Sequence, residues 1–324
     1  MGEQTAPPTY HLTVDIGGTK TACALATSAG EMLARKEHPT PVQDGPEACL
    51  ARIAKASREL LTSATAAPTS IGVAVGGPLD SAAGVVYSPP NLPGWDGVGV
   101  KAFLEGEFGL PTYVENDANA GALAERAFGA ARDCDNVVYL TLGTGIGGGI
   151  IVEGKLFRGT TDDAGELGHA TIVPDGPECL CGKRGCLEAL VAGPAIGARA
   201  RRMADADPGS IMNVLASHEL GGITSQTALE AARQGDKSAL EVWRETGYYL
   251  GIGIGNLVQT LNPEIVVLGT IAVHARDVLM DHVKASAKQH AWPRAWEAVR
   301  IAPAKLGTQV GDLAALCCAL NAGN

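Results

Sequence analysis

Short apolar runs, each stopped by glycine or a polar turn, recur from one end of the chain to the other. YHLTVDI (10–16) is the first, and its alternation and β-branched content predict a strand. GGTK breaks it, and TACALAT (21–27) returns as a second strand. SIGVAVGG (70–77) predicts a buried strand and Tyr113–Glu115 a short one. NVVYLTL (136–142), the turn GTGIGGG and then IIVEG predict a further strand pair. EIVVLG (264–269) reads as a strand, and AVRIAPA follows after an intervening helix. Helical spacing marks Pro46–Ser63, with proline near its first turn. It also marks the stretch ENDANAGALAERAFG, with Asn and Asp as capping residues, most of 228–261, and a C-terminal helix from about Val310. Within GYYLGIGIGNLVQTLNP, Gly251 and Gly255 fall on one helix face, which predicts close helix packing. The polar segment 203–222 reads as a surface excursion.

Strands mixed with helices in this way predict an α/β fold. A strand–glycine turn–strand unit occurs at 12–25 and again at 137–152, which suggests two related halves. The expected division is an N-terminal α/β domain over 1–117 and a C-terminal one over 118–309, with the helix at about 310–324 packing back on the first. A length of 324 residues suits two domains, and 46% apolar against 19% charged residues suits a globular core. The net charge of −10 argues against nucleic acid or an anionic membrane as partner. Phosphate must therefore be neutralised locally, by backbone N–H groups or by Mg2+. No apolar run reaches the roughly 18 residues of a membrane span, and no basic-then-apolar leader is visible. Cys23, Cys49, Cys134, Cys317 and Cys318 sit in apolar segments and read as reduced core thiols, so the expected location is cytoplasmic.

Gly143, Gly145 and Gly148 satisfy G-x-G-x-x-G, but a strand follows where a dinucleotide site needs a helix. No P-loop motif is present. Both glycine turns can still form anion nests of successive N–H groups, with hydroxyls from Thr19 and Thr144. Asp15, at a strand end, could hold a hydrated Mg2+; the bland alternative is two hairpins whose glycines only turn the chain. Asn116 and Asp117 stand where a strand gives way to a helix, either as functional groups or as a plain helix cap. His169, Cys179, Cys181 and Cys186 offer one nitrogen and three sulfurs at a spacing that suits a closed tetrahedral Zn2+ site of the structural kind. Such a site would pin the loop carrying Glu166, His169 and Glu188.

DIGGTK (15–20), GGPLD (76–80), NLPGW (91–95), ENDANA (115–120), LGTGIGGG (142–149) and ELGH through CLCGKRGCLE (166–188) together resemble the repressor–ORF–kinase (ROK) family. The resemblance implies an actin-like, hexokinase-type (ribonuclease H-like) fold with two α/β domains and a cleft. It implies ATP-dependent transfer of the γ-phosphoryl group to the 6-hydroxyl of glucose, with N-acetylhexosamines, mannose or fructose as alternative acceptors. By position, Asp117 would be the general base. Asn91, Asn116, Glu166, His169 and Glu188 would hold the sugar hydroxyls. Asp15, Gly17, Gly18, Thr19, Lys20, Gly143, Thr144, Gly145 and Gly269 would surround ATP and its Mg2+. A homo-oligomer, dimer or tetramer, is implied as well. Family repressors carry a helix-turn-helix domain ahead of the sugar fold; 14 residues precede Asp15, and with the acidic charge this favours a kinase over a repressor. A sugar-binding protein without catalysis is disfavoured by the intact Asp117 and phosphate turns. Two departures stand out: Gly269-Thr270-Ile271, where the family usually continues with glycines, and Ala315 in the C-terminal helix, where glycine is expected.

Overall fold

The structure is a computed structural model and describes residues 9–64, 67–217 and 222–321. In chain order, β1 (Tyr10–Ile16), β2 (Lys20–Thr27) and β3 (Met32–Pro39) lead to α1 (Gly45–Ser63) and β4 (Ser70–Val75). Three short strands, β5 (Leu79–Asp80), β6 (Val85–Tyr87) and β7 (Asp96–Gly99), precede α2 (Val100–Phe108), β8 (Thr112–Asn116) and α3 (Asp117–Phe128). Then come β9 (Val137–Leu142), β10 (Ile146–Val152) and β11 (Lys155–Leu156). The helices α4 (Leu187–Val191), α5 (Gly193–Ala206), α6 (Ile211–Ala216), α7 (Ser225–Arg233) and α8 (Lys237–Leu261) follow. The chain ends with β12 (Ile265–Leu268), α9 (Ile271–His274), α10 (Arg276–His290), α11 (Pro293–Ala298), β13 (Arg300–Pro303) and α12 (Val310–Leu320).

Two compact units result. The first holds the described residues of Met1–Asp133, Gly149–Ala164 and Leu306–Asn324; the second holds Cys134–Gly148 and Gly165–Lys305. Helix α3 packs on α12 within the first unit, whose N-terminal stretch runs to Asp133. In the first unit a five-stranded sheet has the order β3-β2-β1-β4-β8. β1, β4 and β8 are parallel, with Asp15 beside Ala74 and Asn116 beside Val75. Leu12, Val14, Ile71 and Val73 are buried in its core with Ile53 of α1. Helix α12 lies against β1 and β4. Gly72 of β4 meets the Ala315 backbone there, and a methyl on Gly72 would fall 2.8 Å from the Ala319 nitrogen. The sequence departure at Ala315 is thus a core matter: the close approach is supplied from the strand by Gly72.

The second sheet has the order β11-β10-β9-β12-β13, with β9, β12 and β13 parallel. β9, β12, β13 and the start of β10 pack into one core with α5, α7, α8 and α10. Helix α8 lies tight against α10: methyls on Gly247 and Gly255 would sit 2.5 and 2.7 Å from the Cβ atoms of His282 and His290, and one on Gly251 would collide with Ser286. The small-residue face therefore packs helices, as its spacing predicts. The segment 203–222 differs from expectation. The end of α5 and all of α6 lie in it, Ala204 and Met212 are buried, and 218–221 fall outside the described residues. Its polar look is capping chemistry: Asp236 accepts from the Ser210 hydroxyl (2.9 Å) and the Ile211 N–H (2.6 Å), and Ser210 caps α6.

Candidate active site

Parallel strands deliver their C-terminal ends to one edge of a sheet, where ligand crevices form in open α/β sheets. In the first unit that edge carries Asp15, the glycines after β4, and Asn116–Asp117. Asn116 is the N-cap of α3, its side-chain oxygen accepting from the N–H groups of Ala118 (2.9 Å) and Asn119 (3.2 Å). Its amide Nδ2 packs against Gly77. Asp117 opens the helix with its side chain exposed. Enclosure by surrounding protein, which its solvent access does not cancel, still pushes this carboxyl above the usual range, while the Ala118 N–H pulls it down.

Asp15 is half-buried, and its carboxyl is pushed up to about 7, first by burial and then by the charges of Asp117 and Asp312, against Lys20 and Arg35. The Arg35 Nε donates to Asp312 at 2.6 Å and its Nη2 to Glu37 at 2.7 Å. Lys20 is largely exposed and pairs with Glu37 at 3.0 Å. A strand-end carboxylate with Asp117 and Asp312 near it suits Mg2+, a hard cation held through one or two carboxylates, water and phosphate oxygens. The β1–β2 turn closes through the Gly17 N–H donating to the Lys20 carbonyl at 3.1 Å, with Thr19 exposed at its tip. Gly18 rests on the exposed Asn91: a methyl there would lie 2.6 Å from the Asn91 carbonyl oxygen. The Asn91 loop is anchored by the buried Leu92 and Trp95.

In the second unit the β9–β10 turn is closed by the Gly143 N–H donating to Gly145 (2.9 Å), while the Gly193 N–H, at the start of α5, donates to the Gly143 carbonyl (2.8 Å). Thr144 and Gly145 are exposed. A cavity of 410 Å³ beside them is lined by Thr144, Gly193, Arg201, Ser225, Thr270 and His274. The sequence reading did not find Arg201 or His274, which have no local motif. Gly269 commits its N–H to the Leu140 carbonyl (2.8 Å), and a methyl on it would meet the Tyr139 hydroxyl at 2.7 Å. Thr270 has φ 48° and ψ −109°, a conformation costly for a β-branched residue. Its hydroxyl accepts from the Leu142 N–H (2.8 Å) and meets Thr141 Oγ1 at 3.0 Å, which ties it to the end of β9.

His169, Cys179, Cys181 and Cys186 place their ligand atoms within 4.8 Å of one another. Tetrahedral Zn2+ with Zn–S of about 2.3 Å and Zn–N of about 2.0–2.1 Å requires S···S edges of about 3.8 Å and N···S edges of about 3.6 Å. Cys181 Sγ to Cys186 Sγ is 3.7 Å, and Cys179 Sγ to His169 Nδ1 is 3.6 Å. The donor set and its spacing fit zinc, with Nδ1 as the histidine ligand atom. That leaves Nε2 facing Glu166 Oε2 at 3.8 Å. Glu188, at the start of α4, bridges this cluster to the glycine turn. Its Oε2 accepts from the Ile146 N–H (2.8 Å), and its Oε1 lies 4.0 Å from His169 Nδ1.

The sequence model of the ROK family matches residues 11–321. A glucokinase of Halalkalibacterium halodurans is 36% identical over 306 residues, covering 93% of this chain and 92% of that protein. Among solved structures, a ROK hexokinase from Thermus thermophilus superposes with a TM-score of 0.82 at 33% identity, covering 96% of this chain and 97% of that one. A ROK glucokinase from Streptomyces griseus, solved in complex with glucose and AMPPNP, gives 0.80 at 32% identity, covering 96% and 98%.

Proposed function

The chain belongs to the ROK family of actin-like, hexokinase-type fold, and from that premise we propose that it is an ATP-dependent sugar kinase, a glucokinase that phosphorylates the 6-hydroxyl of glucose. The observation that carries the reading is Asp117: an exposed carboxylate of raised proton affinity on the first turn of a helix, at the same sheet edge as Asp15. Phosphoryl transfer asks little covalent chemistry of a protein beyond positioning, charge stabilisation and removal of the acceptor's proton. Asp117 takes the proton of the 6-hydroxyl as its oxygen attacks phosphorus. The raised carboxyl pKa makes it a better base than a free aspartate, provided the pH lies above that pKa.

Asn91, Asn116, Glu166, His169 and Glu188 orient the sugar in this reading. Asn116 does so through its Nδ2, since Oδ1 is engaged in the helix cap. The turns Gly17–Thr19 and Gly143–Gly145 present N–H groups and threonine hydroxyls to the triphosphate. Mg2+, when bound, would neutralise phosphate charge, and Asp15 is the residue that would hold it. The four-donor cluster would hold a structural Zn2+, with no open position for chemistry. Its task is to fix Glu166, His169 and Glu188 as one rigid group. A cytoplasmic homo-oligomer completes the reading.

A coupled assay with ATP and Mg2+ across glucose, mannose, fructose, N-acetylglucosamine and N-acetylmannosamine tests it. Glucose should give the highest kcat/KM. An N-acetylated sugar ahead by ten-fold or more would replace the acceptor while leaving a sugar kinase.

A further inference from the structure

Behind Asp117 lies a buried charge that the reaction does not touch. Glu115, two residues upstream at the end of β8, is only 3% exposed. Its Oε1 accepts from the Asn116 N–H at 3.0 Å and from Asn119 Nδ2 at 3.1 Å, and its Oε2 accepts from Arg158 Nε at 2.8 Å. Arg158 follows β11 and is 43 residues away in sequence, but it belongs to the same unit. One carboxylate thus grips the residue that caps α3, a residue in the first turn of α3, and a cation from a separate segment.

We propose that Arg158 is a positioning residue for phosphoryl transfer: by holding the Glu115 carboxylate in place, it fixes the β8–α3 junction from which Asp117 reaches the acceptor hydroxyl. The inference rests on the reading of Asp117 as base. A carboxylate this deeply buried needs a cation or donors at both oxygens to hold one orientation. Removing Arg158 takes away the partner of Oε2 and lets the carboxylate turn toward whatever solvent reaches it. That turn weakens the bonds from Asn116 N–H and Asn119 Nδ2. Those bonds and the Asn116 cap set the start of α3, so its first residue, Asp117, loses its fixed aim. Errors of about an ångström in a reacting group are enough to slow chemistry substantially.

The surroundings supply a selective test. A cavity of 290 Å³, lined by Arg158, Glu115, Lys101, Tyr113, Thr112 and Ser81, adjoins the pair. Arg158→Ala would enlarge it and let a free guanidinium ion approach Glu115.

The experiment compares kcat and KM for glucose and MgATP in the unaltered chain, Arg158→Ala, Arg158→Lys and Arg158→Ala/Glu115→Gln, with and without guanidinium chloride at a non-denaturing tens-of-millimolar level against sodium chloride. The expected result is a fall in kcat of ten-fold or more in Arg158→Ala with KM for glucose within three-fold. Arg158→Lys should recover part of it. Guanidinium, and not sodium, should raise kcat of Arg158→Ala at least three-fold, and should not do so in the double variant. A kcat for Arg158→Ala within two-fold of the unaltered chain overturns the assignment. So does a loss that appears entirely as higher KM, or one that guanidinium does not relieve. Should Arg158→Ala not yield folded protein, Arg158→Lys decides: lowered kcat with unchanged KM supports the assignment, and unaltered kcat overturns it. An unaltered chain that phosphorylates no hexose fails the proposed function itself, and this assignment with it, so the two failures are told apart.

Discussion

Gly18→Ala adds one methyl to the turn between β1 and β2. Gly18 is not one of the residues with positive φ, so alanine is free to adopt its backbone and the effect is steric. The new carbon would lie 2.6 Å from the Asn91 carbonyl oxygen and 2.7 Å from Asn91 Cβ. Carbon–carbon contacts settle at about 3.5 Å or beyond, so the shortfall is about 0.8 Å. Neither neighbour can swing aside, because both belong to the backbone or its first side-chain atom. The Asn91 loop is also held by the Leu92 N–H to Pro89 (3.0 Å) and by the buried Leu92 and Trp95. Either the β1–β2 turn or the Asn91 loop must therefore shift by close to an ångström. Overpacking of this kind costs about 1–3 kcal/mol, which lowers Tm by about 2–12 °C in a domain of this size. A misplacement of about 1 Å costs up to about 100-fold in rate. The assay is kcat and KM for glucose and MgATP by coupled ADP release, with Tm from fluorescence on the same samples. We expect folded protein at 25 °C with kcat/KM for glucose reduced about thirty- to a hundred-fold. A variant within two-fold of the unaltered chain would refute the coupling of this turn to the Asn91 loop in the reaction.

Elemental analysis of the purified chain should give about one zinc per molecule, and Cys181→Ser should lower that content and the thermal stability of the loop, since site formation and local folding are linked; zinc-free protein with all three thiols open to alkylation contradicts the site. Asp15 carries a pH signature in metal-free protein. Its folded carboxyl lies at about 7 against an unfolded value of about 3.9. Between these values the folded state binds more protons than the unfolded one, so stability falls as pH rises through that window. Asp15→Asn should therefore raise Tm at pH 8 and leave it nearly unchanged near pH 4. An equal effect at both pH values removes the charge explanation.

Much of the framework is legible locally. The strands at 10–16, 70–75 and 137–142 announce themselves by composition, because apolar and β-branched residues dominate each. Gly251 and Gly255 predict their own packing, since a helix face repeats every three to four residues. The cluster of His169, Cys179, Cys181 and Cys186 is legible because its three cysteines fall within one short loop. What stays hidden depends on distant partners. Arg158 and Glu115 carry no mutual signal across the sequence, and Arg35 finds Asp312 only once α12 lies along the sheet. The strand at 32–39 carries no local signal, because its largely polar residues lack an apolar run to mark it. The segment 203–222 misled because residues that cap helices have the same composition as residues that face water. Thr270 shows a departure in sequence, but its strained backbone and its ties to the end of β9 follow only from the fold.

The central claim is that Asp117 removes the acceptor proton in phosphoryl transfer from ATP to glucose. Asp117→Asn keeps size and hydrogen-bonding capacity while abolishing the base, so it isolates that role. Measured side by side, kcat from the coupled assay should fall by about 100-fold or more, while the glucose Kd from calorimetry stays within a few-fold of the unaltered chain. An Asp117→Asn enzyme that turns over at nearly the unaltered kcat would contradict the account.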